Sequence, residues 1–123
     1  DFSGELVEFP TATALCAKLA LGDDPLEDDS LLQAAMLVAS KPPSWSRGEG
    51  TTDSYYWAFG SRALQPLGGV IAARWNRHLA SALTDHVDRD AAGRAYWAAV
   101  DAWHEKGSEV AMTAMCVLAL QAI

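Results

Sequence analysis

Apolar residues are distributed along this chain in two ways. In its last stretch, after Ser108, apolar positions fill every side of a helical projection, and only Glu109, Thr113 and Gln121 interrupt them. A surface helix shows one apolar stripe, whereas a helix that is apolar all round is enclosed by other helices. The segment from Glu109 to Ile123 is therefore predicted to be a central helix. Phe9 to Leu21 reads the same way, with Thr11, Thr13 and Lys18 as its only non-apolar residues. Pro10 lies in its opening turn, where a missing N–H is harmless, and Gly22 ends it. Thr13-Ala14-Leu15-Cys16 is echoed by Thr113-Ala114-Met115-Cys116.

The second pattern is a single stripe. From a cap at Asp28 or Asp29 to Lys41, Leu31, Leu32, Ala35, Val38 and Ala39 mark one face, and Pro42-Pro43 stops the helix because neither proline continues the ladder. From Val70 to Asp85, Ile71, Trp75, His78, Leu79, Ala82 and Leu83 form a stripe, with Arg74, Asn76, Arg77, Ser81 and Asp85 turned away. Between these two helices, Ser44 to Gly50 reads as a polar loop. A third helix, Asp53 to Leu67, follows it, capped by Thr51 or Thr52 and with an acid in its first turn. It places Tyr56, Phe59, Gly60, Ala63 and Leu67 on one face and Trp57 and Leu64 on the next; Gly60 and Ala63 admit a close neighbour. Gly68-Gly69 separates it from the fourth helix. No period is sustained from Val87 to Lys106, so a long loop with a short helical turn is expected there, pinned by Tyr96, Trp97 and Trp103. Residues 1–8 are expected to be extended or frayed.

These patterns predict an all-α fold of about five helices. The first, third and fifth form an inner layer that the second and fourth cover. The inner helices start near Phe9, Asp53 and Glu109, a spacing that fits helical-hairpin repeats of roughly 40 to 50 residues. The fifth has no outer partner in the sequence. The chain is thus expected to be one domain over residues 1–123, a fragment of a longer parent or a module whose last helix is covered by another copy or another protein segment.

Composition narrows the functional classes. Half of the 123 residues are apolar, which suits one globular domain with a modest core. A net charge of −7 and a pI near 4.7 argue against a nucleic-acid partner. Asp23-Asp24-Pro25-Leu26-Glu27-Asp28-Asp29 reads as a solvated loop and helix start. The apolar run from Val110 to Ile123 contains Thr113 and Gln121 and falls short of the ~20 residues that cross a bilayer, so no membrane span is expected. Cys16 and Cys116 both lie in apolar helices, where free buried thiols are the expectation.

The order of several short motifs carries a resemblance. Thr11-Ala12-x-x-Leu15-Cys16 in the first inner helix, Lys41-Pro42-Pro43-Ser44, the run Asp53-Ser54-Tyr55-Tyr56-Trp57-Ala58-Phe59-Gly60, Trp75-Asn76 and Gly107-x-x-Val110-x-x-Thr113-Ala114-Met115 together resemble the squalene cyclase and prenyltransferase repeat domains, and more narrowly bacterial proteins that carry such repeats. The resemblance covers Thr11 to Ile123. It implies an α/α toroid, here a partial ring, with parallel inner helices around a cavity. The family's catalytic parts are not matched. Leu26-Glu27-Asp28-Asp29 has Leu where the cyclase acid motif has its first Asp, and neither Cys16 nor Cys116 has the Asp two residues before it that a prenyltransferase zinc site needs. These departures argue against an enzyme.

The candidate ligand site is the mouth of that partial ring, formed by the first turns of the inner helices: Asp53, Tyr55, Tyr56 and Trp57 on the third, Thr11 on the first and Glu109 on the fifth. Aromatic faces with a few polar groups are what ligand clefts are made of. No cofactor or metal is expected: His78 and His86 are two turns apart, His104 stands beside Asp101 and Glu105 in the loop, and four converging ligands are not assembled. The reading is a non-catalytic helical-hairpin interaction module. The alternatives are a fragment of a terpenoid-cyclase-like or carbohydrate-active toroid enzyme, or a cavity for a small hydrophobic ligand.

Overall fold

The computed structural model describes residues 8–46, 52–101 and 108–123. Its elements are α1 (Glu8–Ala20), α2 (Asp29–Ala39), α3 (Ser54–Leu64) with a 3-10 turn at Gln65–Leu67, α4 (Gly69–Thr84) and α5 (Glu109–Gln121), with two-residue strands β1 (Asp88–Arg89) and β2 (Ala95–Tyr96) between the last two helices. The chain is all-α, as its periodicity predicts. The expectations for residues 1–7, Gly48, Gly50, Thr51, Trp103, His104 and Glu105 lie outside the described residues.

Local chemistry sets the helix starts. Asp28 caps α2, accepting from the N–H groups of Ser30 and Leu31 at 2.9 and 3.3 Å. The Ser30 hydroxyl and these two N–H groups hold its carboxyl below the ordinary carboxylate range. Asp53 caps α3, accepting from Tyr56 N–H at 2.9 Å, so the expected threonine cap is corrected. Thr52 is instead buried, and its hydroxyl exchanges hydrogen bonds with the backbone of Ser46 at 2.7 and 2.8 Å. An acid one residue later offers two strong acceptors to the same orphan donors, which frees the threonine to staple the loop.

Helices α1, α3 and α5 stand in a row and run the same way. At one end the Phe9 ring meets Tyr55 and Phe59 edge-on, with centroids 6.4 and 5.9 Å apart. At the other, Arg62 and Gln65 share a groove with Gln121 and Ala122. Helix α2 packs against α1 and α3, and α4 packs against α3 and α5. Tyr56 near the start of α3 reaches Val38 near the end of α2, so α2 runs opposite to the inner row.

The centre of the row is α3, not α5. Eight of the α3 residues are buried, whereas α5 buries only Met112, Cys116 and Ala119 and leaves Val110, Val117 and Leu118 exposed. Composition misleads here because alanine and valine make a helix apolar on every side without saying which side is covered. Helix α1 is the counterpart at the other edge: Ala12 and Leu15 are buried, while Ala14, Ala17 and Lys18 are exposed. Positions 12, 14, 17 and 18 thus have the same burial as 112, 114, 117 and 118. A further correction concerns His78, which is exposed and not part of the α4 stripe.

The core is locked where α4 crosses α3. A Cβ on Gly60 would lie 2.5 and 2.6 Å from the six-membered ring of Trp75 and 3.4 Å from a Val38 methyl. The indole N–H of Trp75 donates to the buried Ser61 hydroxyl at 2.8 Å, and Tyr56 meets the same ring edge-on at 5.6 Å. Gly60 therefore provides the close approach its place in the α3 pattern predicts, with a tryptophan as the neighbour.

The segment after α4 is a hairpin, which corrects the expected long loop. Asp88 pairs with Tyr96 and Arg89 with Ala95 in an antiparallel ladder. Between them one Asp90 oxygen accepts from the N–H groups of Ala92 and Arg94, both at 2.9 Å, and Gly93 turns the chain at φ +80°. Asx-type bonding followed by a left-handed glycine is sound turn chemistry, but strands of two residues are too short to show alternation. Trp97 then ties the hairpin down: its indole N–H donates to Leu83 O at 2.9 Å and its backbone N–H to the Thr113 hydroxyl at 3.1 Å.

Candidate functional site

The six residues expected at a ring mouth have four different structural fates. Asp53 is spent on the α3 cap. Tyr56 and Trp57 are in the core, 7% and 1% exposed. The single phenolic proton of Tyr56 faces two carbonyls, Val38 O and Lys41 O, each at 2.9 Å, so this side chain ties the end of α2 to the start of α3. Trp57 packs against Trp45 with ring centroids 6.2 Å apart, and Trp45 in turn stacks on His86 at 4.8 Å. Tyr55 is half-buried against Phe9, and Thr11 is half-buried on α1.

Glu109 sits elsewhere. It lines a groove of about 540 Å³ between the hairpin and the first turn of α5, together with Asp90, Arg94, Ala95, Tyr96, Val110 and Thr113. None of the other five predicted residues lines it.

The charges in this groove are unequally committed. Arg94 Nε donates to Asp90 Oδ2 at 2.7 Å, and Arg89 donates to Gly93 O at 2.8 Å. The backbone N–H of Arg94 first, then its guanidinium and the Ala92 N–H, hold the Asp90 carboxyl below the ordinary range. The Thr113 hydroxyl is occupied by the Trp97 N–H. Among the described residues, that leaves the Glu109 carboxylate and the Tyr96 ring and hydroxyl without a partner, both half-exposed at the groove.

The patterns passed over one polar residue that matters structurally. Asp101 is 6% exposed, and its Oδ2 accepts from both the backbone N–H and the hydroxyl of Ser54, at 3.1 and 2.6 Å. Ser54 opens α3, so that helix receives one carboxylate from its own cap and a second from the loop after the hairpin. An aspartate in an aperiodic stretch gives no signal of such a role; only the buried serine at the start of an aromatic helix hints at it.

Neither cysteine is prepared for chemistry. Both are free thiols. Burial raises the Cys16 pKa, which Arg62 partly opposes, and the thiol lies 3.0 Å from Phe59 O as a donor. Cys116 is fully buried, and desolvation, aided by the charge of Asp101, pushes its pKa up to about 12. Among the described residues no three His, Cys, Asp or Glu side chains converge to hold a metal ion, and no helix is long and apolar enough to cross a membrane.

No protein-family model matches the chain, and neither a curated protein nor a solved structure is significantly similar to it.

Proposed function

We propose that this chain is a helical-hairpin interaction module, an arc of an α/α toroid-like layer, whose edge helix α5 is covered by a further protein segment. The observation that carries the reading is the outer flank of α5. Val110 is 88% exposed, Val117 and Leu118 about 40%, and Glu109 is the only charged residue in the helix. Contiguous apolar exposure of this kind marks interaction surfaces. The layering supports the same reading: α2 lies over α1 and α3, α4 lies over α3 and α5, and no described element takes the next position. The expected occupant is an amphipathic helix lying on α5 as α4 lies on α3, its apolar anchors spaced along one face.

The fates of Asp53, Tyr56 and Trp57 favour this reading over an enzyme fragment, since a group already committed to a cap or to the core is not available to a substrate. Light scattering and binding of an apolar dye test it. Val117→Lys with Leu118→Lys should abolish dye binding and self-association while leaving the melting temperature within a few degrees. A wild-type chain that is strictly monomeric and binds no dye overturns it.

A further inference from the structure

The groove beside α5 has a chemistry of its own. Its positive charge is balanced: Arg94 gives its Nε to Asp90 in a 2.7 Å ion pair, and the Asp90 carboxylate also gathers two backbone N–H groups of the turn. Its negative charge is not, because Glu109 has no partner among the described residues while lining the same groove. Tyr96 presents an uncommitted aromatic ring there, and Val110 beside it is almost fully exposed. Carboxylate, aromatic face and aliphatic side chain thus border one groove of about 540 Å³, which is room for one long side chain and part of its backbone.

We infer that this groove recognises an arginine side chain in an extended peptide segment with an aliphatic neighbour. Guanidinium is the cation that suits both fixed groups, since it makes forked hydrogen bonds to a carboxylate and stacks on an aromatic ring. The aliphatic neighbour meets Val110. The acidity of the whole chain, −7, raises the local concentration of a basic partner. The inference rests on the paired and unpaired charges of the groove, and it does not depend on what covers Val117 and Leu118 further along α5.

The experiment is a calorimetric and NMR titration of the chain with acetylated, amidated arginyl-leucine, with the citrullyl-leucine analogue and with guanidinium chloride. The arginine dipeptide should bind saturably and shift the amide signals of Tyr96, Glu109 and Val110. The citrulline analogue, which keeps the shape and removes the charge, should bind about fivefold or more weakly, as a half-exposed ion pair with a stacking contribution implies. Glu109→Gln should cause a similar loss, and so should Tyr96→Leu, which keeps an apolar side chain and removes the ring. The inference is overturned if no probe saturates by about 10 mM, a limit well beyond any useful affinity. It is equally overturned if citrulline binds as well as arginine, or if guanidinium alone binds as tightly as the dipeptide. A Glu109→Gln chain that melts lower but binds as before would show that the carboxylate serves only the α5 dipole.

Discussion

Ser54 gives both of its donors, the backbone N–H and the hydroxyl, to one oxygen of Asp101, a residue forty-seven positions later in the chain. The pair ties the segment after the hairpin to the first turn of α3, the most buried of the described helices. Asp101→Ala leaves two buried donors unsatisfied and is expected to cost about 2–3 kcal/mol. Asp101→Asn keeps an acceptor and should cost about half as much. Urea titrations of the two variants measure this; equal and negligible losses would mean that water replaces the carboxylate freely.

Gly60→Ala places a methyl group where the Trp75 ring already stands. Overpacking of this sort costs about 1–3 kcal/mol. Trp75→Phe removes the ring atoms that the methyl would strike, so Gly60→Ala should cost less in that background, with a coupling of about 1 kcal/mol or more in a double-mutant cycle. Strict additivity would show that α4 shifts aside instead.

Tyr56→Phe separates a structural role from a ligand-contacting one. Loss of the hydroxyl removes the link from the start of α3 to the Val38 and Lys41 carbonyls at the end of α2 and should lower stability by about 1 kcal/mol. Asp53→Asn should be nearly neutral, because asparagine caps a helix as well as aspartate, while Asp53→Ala should cost about 1 kcal/mol. Chemical denaturation reads all three. A Tyr56→Phe chain as stable as the parent would return this residue to the list of ligand contacts.

Cys116 makes the fold sensitive to alkali. The unfolded thiol loses its proton near 9.0, whereas the buried one holds it to about 12. Between those values the unfolded chain binds fewer protons than the folded one. Stability from this group is therefore intact below pH 9 and falls as pH rises, by up to about 1.4 kcal/mol per pH unit. Cys116→Ala or Cys116→Val should flatten that decline in melting temperature. The same burial predicts that native Cys116 resists alkylation at pH 8 and is labelled only on unfolding.

The five helices were legible because their signals are local: Asp28 before Leu31 and Leu32, Pro42-Pro43 after Ala39, Gly68-Gly69 before α4. The ranking of the helices was not. Which of three apolar helices stands in the middle depends on neighbours, and only α3 carries side chains as large as Tyr56 and Trp57 facing several directions at once. The hairpin escaped because a two-residue ladder has no period, and Asp101 because its partner Ser54 is remote in sequence. Of the candidate site, Glu109 lines a groove apart from the other five residues expected beside it, and its companions there, Tyr96 and Arg94, belong to that unseen hairpin.

The bare backbone of Gly60 against the Trp75 ring also limits how α3 and α4 can move. Sliding by one helical turn, about 5.4 Å, would carry the indole away from the gap over Gly60 and towards side chains on either side. Rotation about that point would not. Any rearrangement a bound partner imposes through α5 would therefore reach α2 as a tilt around a fixed pivot and leave the crossing itself unchanged.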